Sequence, residues 1–438
     1  MPDTATNRVM GFWSAVALVV GSMIGSGVFL LPASLAPFGA ASLLGWGISL
    51  CGAMLLALVY AQWAREDPLP GGSFAYTRVA FGDSAGFFVA WSNWICIWTG
   101  NAALAVAFAG GVSALVPDVA ASRVLSATVA LSALWLATLT NLIGVRESSR
   151  AQVALTALKL IPIALFAFVA VTYVDVANFQ PFVPAGGDLF EIAWSGAAIT
   201  LWAFLGLEAA TIPSAAIKDP KRNVARATLV GTLIAGLLTM LACTVVLGVL
   251  PREQLAQSPA PMVEAASHLF GAPAGMLLAI TATVATYGAL NGWVMLMGEL
   301  PAQAARAGLF PASFGARDSR GTPRTMLLVG TVLGSVLIGA NYSRSLVKLF
   351  EFSILLSTAT SLLPYAAASA SALVVARRWR SRTVTGLVIA ACALAYSLFA
   401  LIGTGREALL WGGVMIAAGW PIWWRVRARP HRVPTVLR

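Results

Sequence analysis

Two apolar stretches of this sequence contain residues that a membrane span has little use for unless they do chemistry. The first is 21–33, GSMIGSGVFLLPA, with three glycines and two serines in its first seven residues. Glycine is a poor helix former, and serine side chains compete for backbone hydrogen bonds. The second is 200–208, TLWAFLGLE, where Gly206 is followed by the ionisable Glu208. A helix broken in the middle of a membrane leaves backbone groups unpaired, at several kcal/mol each, so something must pair with them. Unwinding at Gly25, Ser26 and Gly27 frees N–H groups at the start of a second half-helix. Those donors and the positive end of the helix dipole suit a carboxylate. Carbonyls freed at the ends of the two first halves suit an ammonium group. An α-amino acid carries both groups on one carbon. The blander alternative is that the glycines are helix-packing sites, since Gly21 and Gly25 have small-xxx-small spacing.

Other polar residues also lie in apolar runs. Asn101 either binds a ligand or bonds a neighbouring helix, and Ser357 is a weaker candidate of the same kind. Trp202 and Trp293 are candidate aromatic lids, because an indole covers an alkyl chain or a cation, although packing explains most of the fifteen tryptophans. Lys159 lies nine residues after Arg150, roughly 13 Å into the membrane at the helical rise per residue. It either snorkels to the surface or holds the first span by a charged contact. Glu299 and Glu351 fall near expected helix ends and read as capping or loop contacts. Cys51, Cys96, Cys243 and Cys392 stand singly in apolar runs and read as buried free thiols, with neither a disulfide framework nor a zinc site. His268 falls in an expected loop and His431 in the tail, which argues against a histidine metal site or proton relay.

The elements that position these residues follow from composition. Of 438 residues 59% are hydrophobic and 10% charged, against about 25% charged in a soluble domain. Long apolar runs without alternation predict an all-α membrane protein rather than a β-barrel. No cleavable signal peptide is expected, because the first run is too long and lacks a cleavage site. The hydropathy pattern predicts twelve spans, near 11–36, 41–63, 83–114, 123–143, 150–173, 190–215, 226–250, 272–300, 324–341, 347–376, 384–403 and 407–425. With the N-terminus placed in the cytoplasm, 22 of the 28 Lys and Arg fall in the tails and connections on that side and five on the other. That asymmetry puts both termini in the cytoplasm. It also accounts for the net charge of +11 without nucleic acid, although the basic tail could touch anionic lipid. Gly25 and Gly206 are 181 residues apart, in corresponding places if spans 1–5 and 6–10 are two repeats. Five is odd, so the second repeat is inverted. Paired interruptions of this kind point to a transporter's midplane site.

GSGVFLLPA (25–33), PGGSFAY (70–76), WTGN (98–101), LWAFLGLE (201–208), KDPKRNV (218–224), NGW (291–293), GLFP (308–311) and LLPY (362–365) together resemble the amino acid–polyamine–organocation superfamily. Within it they resemble the basic amino acid/polyamine antiporters, which include arginine/agmatine exchangers. The likeness runs through the whole chain. It implies one transporter domain over 1–438 with a leucine-transporter-type fold: a first repeat at 11–173, an inverted second repeat at 190–376 and two further helices at 384–425. It implies no cofactor, no metal and a homodimer. In similar transporters the carboxylate meets the positions of Ser26 and Gly27. The α-amine meets carbonyls at Met23, Trp202 and Leu205, and the head group meets Cys96, Ile97, Asn101 and Ser357. Trp293 lies along the aliphatic part, Trp202 closes the outer side, and Glu208 is coupled to proton sensing or gating. The chain departs from arginine/agmatine exchangers at Ser22 (their Asn), Phe74 (a tyrosine), Cys96 and Ile97, and Leu104 (a methionine). Lys159 resembles a lysine of the wider amino-acid transporters that occupies the place of a sodium ion.

The leading expectation is an inner-membrane exchanger of a cationic amino acid, arginine-like, for its decarboxylated amine, agmatine-like. The alternative on the same fold is an exchanger or proton-coupled importer of neutral amino acids, since no carboxylate at the head-group end demands a cation. An integral-membrane enzyme would need a catalytic His, Ser or Asp constellation, and a channel a continuous polar lining. Neither is visible. No GxxxxGK[ST] occurs, so ATP does not drive the cycle.

Overall fold

In a computed structural model, described for residues 10–66, 69, 71–143, 149–211, 217–319, 321–376 and 383–427, the chain is all-helical. Among these residues the only β pairing is a single bridge between Met10 and Ile217. Pro70, Arg8, Arg146, Arg320, Arg377, Arg378, Arg380, Arg382, Arg429, His431, Arg432 and Arg438 lie outside the described residues, and with them much of the basic pattern that set the expected topology.

Apart from two short ones at Pro117–Ala121 and Arg252–Gln257, the α-helices are α1 (Phe12–Met23), α2 (Gly27–Leu35), α3 (Ser42–Glu66), α4 (Ser73–Phe81), α5 (Asp83–Leu115), α6 (Arg123–Ile143), α7 (Ser149–Ala170), α8 (Leu189–Leu201), α9 (Pro220–Val249), α10 (Pro261–Phe270), α11 (Ala272–Arg306), α12 (Arg324–Ala340), α13 (Leu346–Val375), α14 (Val384–Gly403), α15 (Gly405–Ala417) and α16 (Trp420–Arg427). Among the described residues, nine helical stretches are long and apolar enough to cross a membrane. The first of them, Phe12–Glu66, contains α1, α2 and α3, and α12 is a shorter apolar helix. This is a multi-pass membrane protein.

Local chemistry sets the ends. Ser345 and Thr383 accept N-cap hydrogen bonds from Lys348 and Gly386, each worth about 1 kcal/mol. Proline at the first turn starts α9 and α10, where its missing N–H costs nothing. The proline start carries α9 to Pro220, six residues before the expected 226. The last expected span is divided at Ala418 and Gly419 into α15 and α16. His268 lies in the last turn of α10 and not in a loop. Cys96 and Cys243 are buried free thiols, but Cys51 and Cys392 are exposed on the outer faces of α3 and α14. An apolar run does not say which face of its helix looks inward.

The long helix α5 packs along α11 and α13, and α1 packs on α7 and α9. One close crossing joins α3 to α8. A Cβ on Gly45 would lie 2.5 Å from the Gly196 carbonyl carbon, so the backbones can approach this closely only because residue 45 is glycine. Ser49 and Thr200 then bond across it, to Ala197 O at 2.7 Å and Gly45 O at 3.1 Å, the small-residue and hydroxyl packing that holds helices in lipid.

Candidate functional site

Both expected interruptions are present. α1 ends at Met23, Ile24 is extended (φ −86°, ψ 93°), and α2 begins at Gly27. α8 ends at Leu201, a 3-10 turn covers Trp202–Phe204, Leu205 is extended, and Gly206 has φ +97°. Only glycine adopts that φ without strain. A Cβ on Gly206 would sit 3.0 Å from Ser22 Cβ, so the two breaks lie against each other.

The groups at the first break are held by three side chains from elsewhere in the chain. Lys159 of α7 is buried and donates from Nζ to Gly21 O at 2.6 Å and Ile24 O at 2.8 Å. Those carbonyls have lost their helical donors to the break, and an ammonium with three protons replaces them. Of the two readings of Lys159, the charged contact to the first span is the one observed. Trp293 donates from Nε1 to Ser22 O at 3.2 Å. Trp202 donates from Nε1 to Ser26 Oγ at 3.1 Å and stands edge-on to Phe350, with ring centroids 6.4 Å apart.

The other candidates fall into two clusters. Ser26, Gly27, Trp202, Cys96 and Ser357 close around Gly100: Cβ atoms built on Gly27 and Gly100 would lie 3.5 Å and 3.2 Å from the Trp202 indole, the second also 3.1 Å from Ser357 Oγ. Ser357 Oγ donates to Cys96 O at 2.8 Å, and Cys96 Sγ is 3.3 Å from it. On the other side of Gly206, Ser22, Ile97, Glu208 and Trp293 line a cavity of about 10 Å³, room for about one water. Glu208 accepts from the Tyr365 hydroxyl at 2.9 Å. Met23 and Leu205 are buried at the two breaks. Asn101 belongs to neither cluster. It is fully buried, its Nδ2 is 3.5 Å from Met297 Sδ, and its Oδ1 has no hydrogen-bond partner among the described residues.

The small cavity shares Ser22, Ala209, Trp293 and Leu296 with a second one of about 850 Å³ between α1, α7 and α11. Lys159, Glu299, Arg306 and Arg317 lie in its wall. Glu299 makes a loop contact, as one of its two readings had it: its carboxylate takes two N–H groups of Arg317, at 3.0 Å and 2.6 Å, and raises that guanidinium above its ordinary value. Glu351 pairs instead with Lys348, three residues before it. Three polar residues here were not singled out by sequence. Asn93 lines the small cavity beside Glu208, and its place four residues before Ile97 and eight before Asn101 puts it on the same helical face. Tyr365, inside the LLPY stretch, gives no sequence sign that it reaches Glu208. Asn141 donates to Asn291 Oδ1 at 2.9 Å in the wall of the larger cavity.

Residues 10–426 match the family described as amino acid permease. The chain belongs to that family. This permease of the amino acid–polyamine–organocation superfamily is 34% identical over 333 residues to the cadaverine/lysine antiporter of Escherichia coli (strain K12), covering 74% of this chain and 73% of that one. A Bacillus subtilis (strain 168) protein provisionally named an arginine/ornithine antiporter is 30% identical over 434 residues, 90% of this chain and 91% of the relative. The putrescine transporter PotE of Haemophilus influenzae is 28% identical over 424 residues, 96% and 97% of the two chains. The permease is a transporter and not an enzyme.

Proposed function

We propose that the chain is an inner-membrane exchanger of cationic amino acids and their decarboxylated amines, an arginine-like substrate against an agmatine-like one, working by alternating access. The observation that carries this reading is the meeting of two interrupted helices, Gly206 against Ser22, at the end of a cavity of about 850 Å³. Paired breaks place half-helix ends of both signs at one point. Relatives named for lysine and cadaverine and for putrescine support the cationic class.

In this reading the Ser26 and Gly27 amides take the substrate carboxylate. The Met23, Trp202 and Leu205 carbonyls take the α-amine, and Cys96, Ile97, Asn101 and Ser357 surround the head group. Trp293 lies along the alkyl chain and Trp202 is the lid. Glu208 and Lys159 serve gating and proton coupling. The scaffold is twelve spans in a five-plus-five inverted repeat, at 11–173 and 190–376 with two more helices at 384–425. Both termini are cytoplasmic, and the permease is a dimer in lipid.

The alternative, an exchanger or proton-coupled importer of neutral amino acids, is favoured by one observation: among the described residues the Cys96–Ser357 cluster holds no carboxylate, and Glu208 is already held by Tyr365. Proteoliposome exchange separates the two. Vesicles loaded with arginine, agmatine or leucine are tested for uptake of each labelled form. Arginine driving agmatine uptake, with leucine inert, is the expected outcome. Leucine driving uptake as well as arginine does rules out the cationic version, and no counterflow of any amino acid or amine refutes the transporter reading.

A further inference from the structure

The wall of the larger cavity repeats along one face of α11. Trp293, Leu296, Glu299, Gln303 and Arg306 recur every three or four residues and all border it, as one side of a helix must. The face starts at the break, where Trp293 donates to Ser22 O, and ends at the exposed Arg306. Glu299 lies six residues beyond Trp293, about 9 Å along the axis. Among the described residues it is the one acid in this wall, with Lys159, Arg306 and Arg317 the cations. Lys159 is committed to the Gly21 and Ile24 carbonyls. Arg317 reaches back from the segment after α11 to hold Glu299 with two N–H groups, and also donates to Gly321 O at 2.6 Å. The pair is not sealed in: the side chains of Arg317 and Glu299 are 19% and 23% exposed. Solvent reaches the pair and screens it in part, and an arriving guanidinium or ammonium offers the carboxylate charged donors of the same kind, so a cation in the cavity can compete for it.

We propose that Glu299 is a second cation-binding site, on the route between the helix breaks and the open end of the cavity. The guanidinium or primary ammonium group of a substrate displaces Arg317 from the Glu299 carboxylate, and Arg317 returns when the substrate leaves. Arg317 keeps the carboxylate compensated between passages, and its bond to Gly321 O keeps it close. The inference rests on the cationic reading above, because a neutral side chain gains nothing from a carboxylate on its route.

A purely structural pair and a binding site predict different signs for the two partners. If the pair only staples the segment after α11, removing either residue has the same effect. If Glu299 is the site, removing Glu299 weakens substrate binding and removing Arg317 strengthens it. The experiment measures KM for labelled arginine or agmatine at each membrane face, using intact cells and inside-out vesicles, for the wild type, Glu299→Gln and Arg317→Gln. The expected result for Glu299→Gln is a KM raised about tenfold at the face onto which the cavity opens, with the opposite face unchanged. Arg317→Gln lowers KM severalfold at that same face. Shifts of the same sign in both variants, or equal shifts at both faces, overturn the proposal. Should Glu299→Gln not accumulate, Arg317→Gln decides alone, since an unchanged or raised KM also overturns it. Absence of arginine and agmatine transport in the wild type is a different failure, that of the cationic reading itself.

Discussion

Replacing Lys159 by methionine keeps an unbranched side chain of similar reach and removes only the ammonium. The variant loses hydrogen bonds of 2.6 Å and 2.8 Å to Gly21 O and Ile24 O. A bond to a charged group contributes about 1.5–3 kcal/mol, so the gross loss is about 3–6 kcal/mol. Part is recovered by water, because Gly21 and Lys159 both border the larger cavity, and an ordered bridging water costs up to about 2 kcal/mol in entropy. The net cost is on the order of 2–4 kcal/mol, a factor between about thirty and several hundred in the population with the end of α1 held in place. Two measurements read it: melting in detergent by fluorescence-detected size exclusion, and exchange in proteoliposomes. Lys159→Met is expected to melt several degrees lower and to exchange at least about tenfold more slowly at a temperature where it remains folded. Lys159→Arg, which still donates, should fall between. A methionine variant with unchanged melting and full exchange would refute the assignment and return Lys159 to the snorkelling reading.

Gly206→Ala places a Cβ at φ +97° and 3.0 Å from Ser22 Cβ. A left-handed non-glycine residue costs about 1–2 kcal/mol before any clash, so the yield of monodisperse protein should drop sharply, while Gly292→Ala, whose Cβ meets nothing within 4 Å, should not change it. Trp202→Phe keeps a ring against Gly100 and removes the bond to Ser26. Substrate release from the site should quicken in stopped-flow tryptophan or tracer measurements, and an unaltered rate would remove Trp202 from the lid. Glu208→Gln should flatten the pH dependence of exchange, measured from acidic to neutral pH, and an unaltered profile would take Glu208 out of proton coupling.

Helix positions were legible because an apolar run long enough to span has few alternatives, and α6 and α14 match their expected ranges residue for residue. Both breaks were legible because Gly25 and Gly206 fall 181 residues apart, in corresponding places of two expected repeats, a pairing that packing glycines such as Gly45 and Gly196 do not require. What lay beyond reach was which side chains come to the breaks. The Lys159 contacts join residues 138 and 135 apart in sequence, and the Trp293 contact residues 271 apart. No periodicity encodes such pairs. Asn101 stood out by type, but no spacing could say that its Nδ2 would lie 3.5 Å from Met297 Sδ with its Oδ1 unpartnered among the described residues. Glu299 was discounted because its expected helix ended at 300, whereas α11 continues to Arg306 and leaves the carboxylate inside a wall.

The broken segment is already partly paired by its own protein: Lys159 on two carbonyls, Trp293 on a third, Trp202 on the Ser26 hydroxyl. A ligand that reaches the amides and carbonyls these side chains leave takes them from water, and the net gain of each such bond is only about 0.5–1.5 kcal/mol. A few gains of that size hold a cargo without trapping it, which lets each passage end as readily as it begins. The side chains that stay on the break spare the empty carrier much of the cost of bare backbone in a membrane, so the breaks remain in place between one passenger and the next.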